Sequence, residues 1–473
     1  MADIKFGTDG WRAVIAKDYT YDNLSIVTQA TARWIRKDSV TNNGVIIGYD
    51  GRFGGRDFAR HVASVFAAMD ISVRMADRIT PTPAISWAAL EYDAVGIVIT
   101  ASHNPPNYNG FKIKAPFGGP ATPAQIDSME KEYGNFDNTL KVESYDTYLK
   151  HGMIREIPLR SQYMDVIRER IDLDAIKSKG VKIAHDAMFG AGQHVIKELL
   201  GDQVHELRSD FNPGFHGQAP EPIEKNLQNL SKYIKDNRMA IGIANDGDAD
   251  RVGLYDETGA FVNSHLVLAL LTKYMSQDKK EKGSIIKTFS TTDLLDKQGD
   301  KYGLDLQITP IGFKYIAEKI VNGDVLVGGE ESGGLAVKGH IPERDGIFIG
   351  LLITEMMVKK GKSLSELVQE LFDEFGTHYQ YRDDLHTSDE KKNAMMKWCE
   401  NEKVDEIAGK KVTKRGFTDG VKHWLEDGSW LLVRPSGTEP VLRIYSESDN
   451  EKEAEKLVNA TADLVNDPKI LKG

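Results

Sequence analysis

Residues 94–115 read AVGIVITASHNPPNYNGFKIKA. An apolar run of one strand's length feeds directly into Ser102, His103, Asn104 and two prolines, and Asn109-Gly110 then turns the chain into FKIKA. Val and Ile bounded by turn residues read as a buried strand. Asn104 and Pro105 each precede a proline, which biases both toward extended backbone and stiffens the loop. In the strand that follows, Phe111, Ile113 and Ala115 share one face while Lys112 and Lys114 share the other. Lys114 is expected in solvent. A serine held rigidly at a strand end meets a requirement of covalent catalysis. His103 is its immediate neighbour, yet no G-x-S-x-G elbow accompanies the pair.

The same layout recurs along the chain. GVIIGYD, VKIAHDA, AIGIAND, GSIIKTF and VLVGGEE are short runs rich in Val and Ile, and GAGQHVIKELL and GFKYIAEKIVNG have helical spacing. Strands alternating with helices predict α/β units with mixed or parallel sheets. Ligands in such folds gather at the carboxyl ends of strands, where TASHNP, NDGDADR and GGEESGG stand. The end of the chain differs. HWLEDGSWLLVRPSGTEPVLRIYSES reads as three strands around an Asp-Gly turn and a polar loop, and EKEAEKLVNATADLV as a closing helix. A separate α+β domain is expected after LFDEFG.

The 473 residues carry a formal charge of -11 and are 40% hydrophobic, the composition of an ordinary globular chain with room for several cores. An acidic balance excludes a general binder of nucleic acid or anionic membranes, so positive charge for an anionic ligand must be local. A single cysteine, Cys399, permits no intrachain disulfide and fits a reducing, cytoplasmic setting; its expected role is helix packing. MADIKFGTDG has no signal-peptide pattern. GIFIGLLITEMMV contains Glu355 and is too short to span a bilayer, which predicts a buried helix.

Asp246, Asp248 and Asp250 alternate after a strand. Two carboxylates about 4 Å apart repel by roughly 4 kcal/mol at an effective dielectric near 20. Three converging ones therefore call for a hard divalent cation, magnesium above all. The spacing also meets part of the EF-hand pattern as far as Glu257, but Arg251 stands where that loop needs glycine. Arg434, Ser436 and Thr438 around Gly437 suit an anion: glycine turns N–H groups inward and arginine grips phosphate in bidentate fashion. Arg443 closes that stretch. Glu330, Glu331 and Ser332 between paired glycines suit sugar hydroxyls, which both donate and accept. His340 and Arg344 follow as partners for an anionic group. Neither a Walker A loop nor a complete dinucleotide fingerprint is present.

With TASHNP, DGDADR, GEESGG and RPSGTEP in that order, the chain resembles the α-D-phosphohexomutase family over essentially its full length. GTDGWRA with Arg12, GYDGR with Arg52, and TPIGFKY with Thr309 and Gly312 also match family segments. The resemblance implies three α/β domains with mixed sheets and a C-terminal α+β domain around a central active-site cleft. Their expected extents are 1–158 with the phosphoserine loop, 159–264 with the metal loop, 265–376 with the sugar loop and 377–473 with the phosphate loop. It implies that Ser102 is phosphorylated and is itself a ligand of Mg²⁺, which Asp246, Asp248 and Asp250 hold beside it. Ser102, His103, Lys112 and Arg52 form the expected catalytic group. Arg12, Arg251, Thr309, Gly312, Glu330, Glu331, Ser332, His340, Arg344, Arg434, Ser436, Gly437, Thr438 and Arg443 are expected to bind substrate. The implied reaction interconverts hexose 1- and 6-phosphates through glucose 1,6-bisphosphate, which serves as intermediate and activator. Lys112 is the expected proton-handling or charge-stabilising group.

The sugar loop bears on the hexose. Dual glucose/mannose members often show GEMSGH and glucosamine members GEQSGH, whereas GEESGG with HIPERDG and TPIGFKY looks more like phosphoglucomutases. Glucose is favoured, a mannose or dual enzyme is the alternative, and glucosamine ranks last. Two readings from other classes stand beside it: an aspartyl-phosphate phosphatase with Asp246 as nucleophile, and a non-catalytic sugar-phosphate binder. The expected partner is a small sugar phosphate, with no nucleic acid and no membrane. No feature of the sequence assigns an oligomeric state.

Overall fold

The computed structural model describes residues 4–401, 404–436 and 441–465. It comprises two compact units: Met1–Ile286 with Gly312–Leu367, and Lys287–Ile311 with Val368–Gly473.

The first unit opens with a mixed sheet. Its strands run in the order Trp11–Val14, Tyr108–Ala115, Val95–Ile99, Val45–Tyr49, Val73–Ala76 and Ile154–Ile157, with Gly119–Pro120 added at Tyr108–Ala115. The four strands from Val95–Ile99 to Ile154–Ile157 are parallel, and Tyr108–Ala115 returns antiparallel to both of its neighbours. The inner strands Val45–Tyr49 and Val95–Ile99 are buried along their whole length because helices cover both faces, while the edge strand Ile154–Ile157 exposes Arg155 and Glu156. Val45 and Ile47 share a core with Phe58, Val62 and Phe66 of helix Gly55–Ala68, while Ile46 packs with Ile85 and Ala88 of helix Thr82–Glu91.

A second mixed sheet runs Phe261–Val262, Val252–Tyr255, Ile241–Asn245, Ile183–Asp186, Val204–Leu207. Val325–Gly329 then pairs antiparallel with Leu335–Val337. All six strands read from Val/Ile runs are present, each ending at a polar loop. GAGQHVIKELL is helical only over Val195–Leu200, because His194 takes a left-handed backbone at its start. GIFIGLLITEMMV lies within helix Gly346–Lys360. Its Glu355 is buried and accepts from Asp172 N (2.8 Å) and the Tyr274 hydroxyl (2.8 Å), which explains a carboxylate inside an apolar helix. Among the described residues no helix is long and apolar enough to cross a membrane.

The second unit carries a six-stranded antiparallel sheet in the order Tyr379–His386, Val441–Ser448, Trp430–Pro435, Val421–Leu425, Lys410–Gly416, Glu406–Ile407. Helices Asp389–Glu400 and Glu451–Leu464 supply Met395, Cys399, Leu457 and Val458 to its core. Segment 287–311 belongs to this unit through buried polar contacts. Trp424 Nε1 donates to Asp293 Oδ2 (2.6 Å), Lys422 Nζ to Asp293 Oδ1 (3.0 Å), and the Asp293 N–H to Glu447 Oε1 (3.1 Å). The Lys422 ammonium also lies 3.7 Å from the Trp430 ring centroid, a cation–π contact.

His423 is fully buried, and its Nε2 meets the Cys399 carbonyl at 3.0 Å. Burial pushes its pKa down to about 4, with the Arg415 charge adding to the effect and the Cys399 hydrogen bond opposing it. The folded pKa lies below the ordinary value, so the unfolded chain binds more protons between the two, and stability is lost as pH falls from about 6.5 toward 4. A His423→Gln variant is expected to lose less stability than the wild type between pH 7 and 4, by up to about 3 kcal/mol. Denaturant unfolding at both pH values measures this, and equal losses would remove His423 from the account.

Candidate functional site

Two loops of the first unit meet at Ser102. Its backbone adopts φ 51, a left-handed conformation that costs a serine roughly 1–3 kcal/mol. The fold imposes it from two sides. The Ser102 N–H donates to Thr100 Oγ1 (2.8 Å), and Thr100 Oγ1 donates in turn to Asp50 Oδ2 (2.6 Å). From beneath, the buried guanidinium of Arg52 donates to the carbonyls of Ser102 (2.6 Å), Asn104 (2.7 Å), Pro105 (2.9 Å) and Tyr108 (3.0 Å). The prolines stiffen the loop, and Arg52 ties it down.

The partner loop is Asp246–Arg251. Ser102 Oγ donates to Asp246 Oδ2 at 2.6 Å, and Asp246 Oδ1 accepts from the Arg251 N–H at 3.0 Å. Gly247 makes this approach possible: a Cβ there would lie 2.4 Å from the Ser102 carbonyl oxygen. Thr82 Oγ1 donates to Asp248 Oδ2 (2.5 Å) and fixes the middle carboxylate. Asp246, Asp248 and Asp250 are fully buried, with one oxygen from each lying within 4.8 Å of the others. Burial, and then repulsion from Asp248 and Asp250, pushes the Asp246 pKa well up. Asp248 Oδ1 and Asp250 Oδ1 are buried without a hydrogen-bond partner. Hard oxygen donors, like-charge repulsion and orphaned carboxylate oxygens together fit a divalent cation such as Mg²⁺.

Lys112 points into this cluster. Its Nζ is 2.8 Å from Asp248 Oδ2, 3.0 Å from Asp250 Oδ2 and 2.8 Å from Asp9 Oδ2. Burial works to lower its pKa, but these carboxylates raise it well above the ordinary lysine value, so Lys112 stays an ammonium. Lys114 is not in solvent as the strand alternation implied. It is fully buried, with Nζ 2.7 Å from Glu343 Oε2 and 3.3 Å from Asp9 Oδ1. The strand's second face is an ionic core rather than a wet surface. Arg344 completes the network through Asp250 (2.8 Å), Glu343 (3.4 Å) and Asp9.

His103 Nδ1 lies 3.3 Å from Ser102 Oγ. Burial, and then the charges of Arg251, Arg12, Lys112 and Arg52, holds its pKa well below the ordinary value, so the imidazole is neutral. Arg12 Nη1 donates to Asn104 Oδ1 (2.8 Å). Arg251 Nε is buried with no hydrogen-bond partner, a donor poised for an anion.

The Glu330–Gly334 loop closes on itself, with the Glu330 N–H donating to the Gly334 carbonyl (3.0 Å). The Gly333 carbonyl accepts from Val252 N–H (3.1 Å), which joins this loop to the residue after Arg251. Gly333 takes φ 89, and a Cβ there would lie 2.6 Å from the Val252 carbonyl oxygen. Ser332 lies within this loop, and the Glu331 carbonyl accepts from Ser264 Oγ. Burial pushes the Glu330 pKa up to about 7; Arg344 opposes this and Glu331 adds to it. Gly312 (φ 136) stands against Thr8 of the GTDG segment.

His340 is placed differently from the other expected binding residues. Its Nε2 meets Asp345 Oδ2 at 2.7 Å, Arg170 Nη1 donates to its Nδ1 at 2.8 Å, and the ring stacks on Phe348 at 3.8 Å. Both nitrogens are engaged within the protein, so it braces the start of helix Gly346–Lys360.

The remaining expected residues lie in the second unit. Thr309 is buried, with its Oγ1 lacking a hydrogen-bond partner. Arg434 stands directly opposite Arg443 across an antiparallel pair, and its Nε donates to Asp419 Oδ1 (2.7 Å). Like charges directly opposite are unfavourable; Asp419 offsets this at Arg434, and Asp384, which stands opposite Arg443 on the other neighbouring strand, lies 3.8 Å from its Nε. Ser436 is buried beside them and donates its N–H to the Val441 carbonyl (2.9 Å). Gly437 and Thr438 lie outside the described residues.

Sequence reasoning did not single out Asp9, Asp50, Thr82, Thr100 or Glu343. Asp9, Asp50 and Glu343 stood inside quoted stretches, but their partners are far away in the sequence. Thr82 had no local signal.

Comparison with known proteins matches this arrangement. Four models named phosphoglucomutase/phosphomannomutase cover alpha/beta/alpha domain I over 3–139, domain II over 161–259, domain III over 263–375 and the C-terminal domain over 395–464. A phosphoglucomutase/phosphomannomutase of Thermococcus kodakarensis is 30% identical over 472 residues, 99% of each chain. A phosphoglucosamine/phosphogalactosamine mutase of Sulfurisphaera tokodaii is 30% identical, over 97% of this chain and 98% of that protein. The crystal structure of a phosphomannomutase candidate from Thermus thermophilus superposes with a TM-score of 0.86 at 33% identity, covering 98% of this chain and 100% of that one.

Calorimetric titration with Mg²⁺ checks the cation fit. Asp248→Asn is expected to weaken binding by on the order of tenfold or more, because it removes one charged ligand from a set of three. Unchanged Mg²⁺ affinity would show that the carboxylates serve the ion pairs alone.

Proposed function

We propose that this chain, which belongs to the phosphoglucomutase/phosphomannomutase family, interconverts hexose 1-phosphates and hexose 6-phosphates through a phosphorylated Ser102. The reading rests on one observation: Ser102 Oγ, in a strained and rigid loop, donates at 2.6 Å into a buried carboxylate trio that fits a divalent cation.

Phosphoryl transfer depends mainly on positioning and charge stabilisation. The Oγ–P bond of phospho-Ser102 breaks as a P–O bond forms to the free hydroxyl of a hexose phosphate, giving a hexose 1,6-bisphosphate. The hydroxyl proton replaces the phosphoryl group on Ser102, and neutral His103, 3.3 Å from Oγ, is suited to carry it. The bisphosphate turns over and returns its other phosphate to Ser102. Lys112, held as an ammonium, is a charge stabiliser rather than a base. Arg251 and Arg12 offer further positive charge for the anionic oxygens. Mg²⁺ held by Asp246, Asp248 and Asp250 would neutralise charge on the transferring group. Arg434, Arg443 and Ser436 are the proposed grip on the phosphate that does not react, and Glu330, Glu331 and Ser332 read the sugar hydroxyls.

Glucose is the proposed hexose, from the Glu330–Gly334 loop. Glucosamine is the second reading, favoured by the name of the Sulfurisphaera relative and by the carboxylates of Glu330 and Glu331, which would attract an ammonium group. The aspartyl-phosphate alternative is disfavoured because Asp246 is one of the three carboxylates that fit the cation, and the rigidly held hydroxyl aimed at that trio is the one on Ser102.

Ser102→Ala is expected to fold normally and to lose turnover by on the order of 10³-fold or more. Label carried by the wild-type phosphoenzyme should resist hydroxylamine; a hydroxylamine-labile adduct on Asp246 would overturn the mutase reading. A coupled assay of glucose-, mannose- and glucosamine-1-phosphate side by side decides the hexose. Glu331→Ala is expected to change the preference among them more than the rate with the best one, and an unaltered preference would take Glu331 out of the sugar site.

A further inference from the structure

In an open parallel sheet a binding crevice forms where neighbouring strands send their outgoing connections to opposite faces. In the first sheet that place is not at Ser102. Strand Val45–Tyr49 leads into helix Gly55–Ala68 on the face shared by Val45 and Ile47. Its parallel neighbour Val73–Ala76 leads into helix Thr82–Glu91 on the face of Ile46. The two exits part, and between them lies a cavity of about 450 Å³.

Arg52, Arg56, Arg78 and Arg160 line it. Arg52 spends its terminal nitrogens on the serine loop and Arg78 Nε donates to Asp77 Oδ2 (3.1 Å), so the donors offered to an anion come from Arg56 and from the remaining nitrogens of Arg78 and Arg160. The Arg160 side chain is 7% exposed and bonds Glu198 through one terminal nitrogen, while its Nε is buried with no hydrogen-bond partner. Arg52 Nε likewise makes no hydrogen bond and lies 3.3 Å from Asp50 Oδ2. The 14-residue helix Gly55–Ala68 begins at the same wall behind Gly54, which has no side chain to cap it. A helix start of this kind attracts phosphate through its N–H groups and dipole. Asp57 and Asp77 also line the cavity and can accept from hydroxyl groups, and Phe211, 65% exposed, lies at its edge.

We propose that this cavity is a second ligand site, which binds the phosphate group of a small hydroxylated phosphate ester and is separate from the Ser102 site. The floor connects the two. Arg52 lines the cavity and holds the four carbonyls of the serine loop, and Asp50 reaches the Ser102 N–H through Thr100. An occupant therefore touches the residues that set the position of Ser102, which makes the cavity a regulatory site for whatever reaction that serine performs.

Hydrogen exchange with and without glycerol 3-phosphate tests the proposal on the full chain. The ester is expected to slow exchange in segments 52–58 and 77–80, in addition to any effect at 246–251. Arg56 is exposed, so Arg56→Glu folds normally; it should weaken the protection at 52–58 by roughly tenfold or more in ligand concentration while leaving that at 246–251 in place, the scale of one charge-assisted hydrogen bond lost. Arg78→Glu, also at an exposed position, should act in the same direction. Protection confined to 246–251, or protection at 52–58 that survives Arg56→Glu unchanged, would overturn the second site without touching the reading of Ser102.

Discussion

Burying carboxylates beside one another is the constraint on which the first unit depends. Asp246, Asp248 and Asp250 converge out of water, where repulsion between each pair is several kcal/mol unless it is countered. The protein counters it with Lys112 and Arg344. Lys112 and Arg344 also pair with Asp9, and Arg344 with Glu343, and these two carboxylates in turn hold Lys114. The chain of pairs runs from the N-terminal loop through strand Tyr108–Ala115 to the Asp246–Arg251 loop and the residues after the Glu330–Gly334 loop. Segments more than three hundred residues apart are thus held by electrostatics. Asp9, Asp248, Asp250 and Glu343 pair directly with Lys112, Lys114 and Arg344; the direct partners of Asp246 are the Ser102 hydroxyl and the Arg251 N–H, with the Arg251 charge acting at longer range. Asp246, the carboxylate of the trio with no cationic side chain bonded to it, is where a divalent cation would offset the remaining repulsion.

The same constraint explains what could be read in advance. Strands buried on both faces carry continuous Val/Ile runs, so Val45–Tyr49, Val95–Ile99 and Ile241–Asn245 announce themselves locally. The alternating aspartates do so as well, because a metal loop concentrates its ligands in a few residues. Long-range pairing leaves no such mark. Lys114 in FKIKA has the pattern of a solvated strand face, and only Asp9 and Glu343 reveal that this face is an ionic core. His340 shows the same limit: a histidine after a polar loop has the composition of a binding residue, and its contacts with Asp345, Arg170 and Phe348 through both nitrogens and the ring leave no local mark. Strands Tyr379–His386 and Lys410–Gly416 escaped notice because they carry the charges that protect exposed strands from pairing with other chains.

The second unit solves a related problem with like charges of the opposite sign. Arg434 and Arg443 are cross-strand partners, an arrangement a sheet tolerates poorly without an anion or flanking carboxylates. Both have a flanking carboxylate: Asp419 accepts from Arg434 Nε, and Asp384 stands opposite Arg443 at 3.8 Å from its Nε. The adjoining network of Lys287, Asp293, Lys422 and Glu447 fixes segment 287–311 to the C-terminal strands. A segment drawn from the middle of the sequence therefore belongs to the unit that carries the arginine pair.

The role proposed for Ser102, a phosphate carrier, requires an oxygen presented in one place while the group's charge changes by nearly two units with each transfer. A serine on a relaxed turn would follow that charge. Ser102 is held in a left-handed backbone conformation by Arg52 and the Asp50–Thr100 pair, none of which uses the hydroxyl. The strain is borne by the scaffold, so the backbone that aims Oγ at Asp246 is held without use of the hydroxyl. That separation, backbone fixed from below and charge managed from the side by Lys112 and the aspartates, is why a stiff loop and a buried lysine occur so close together in the chain.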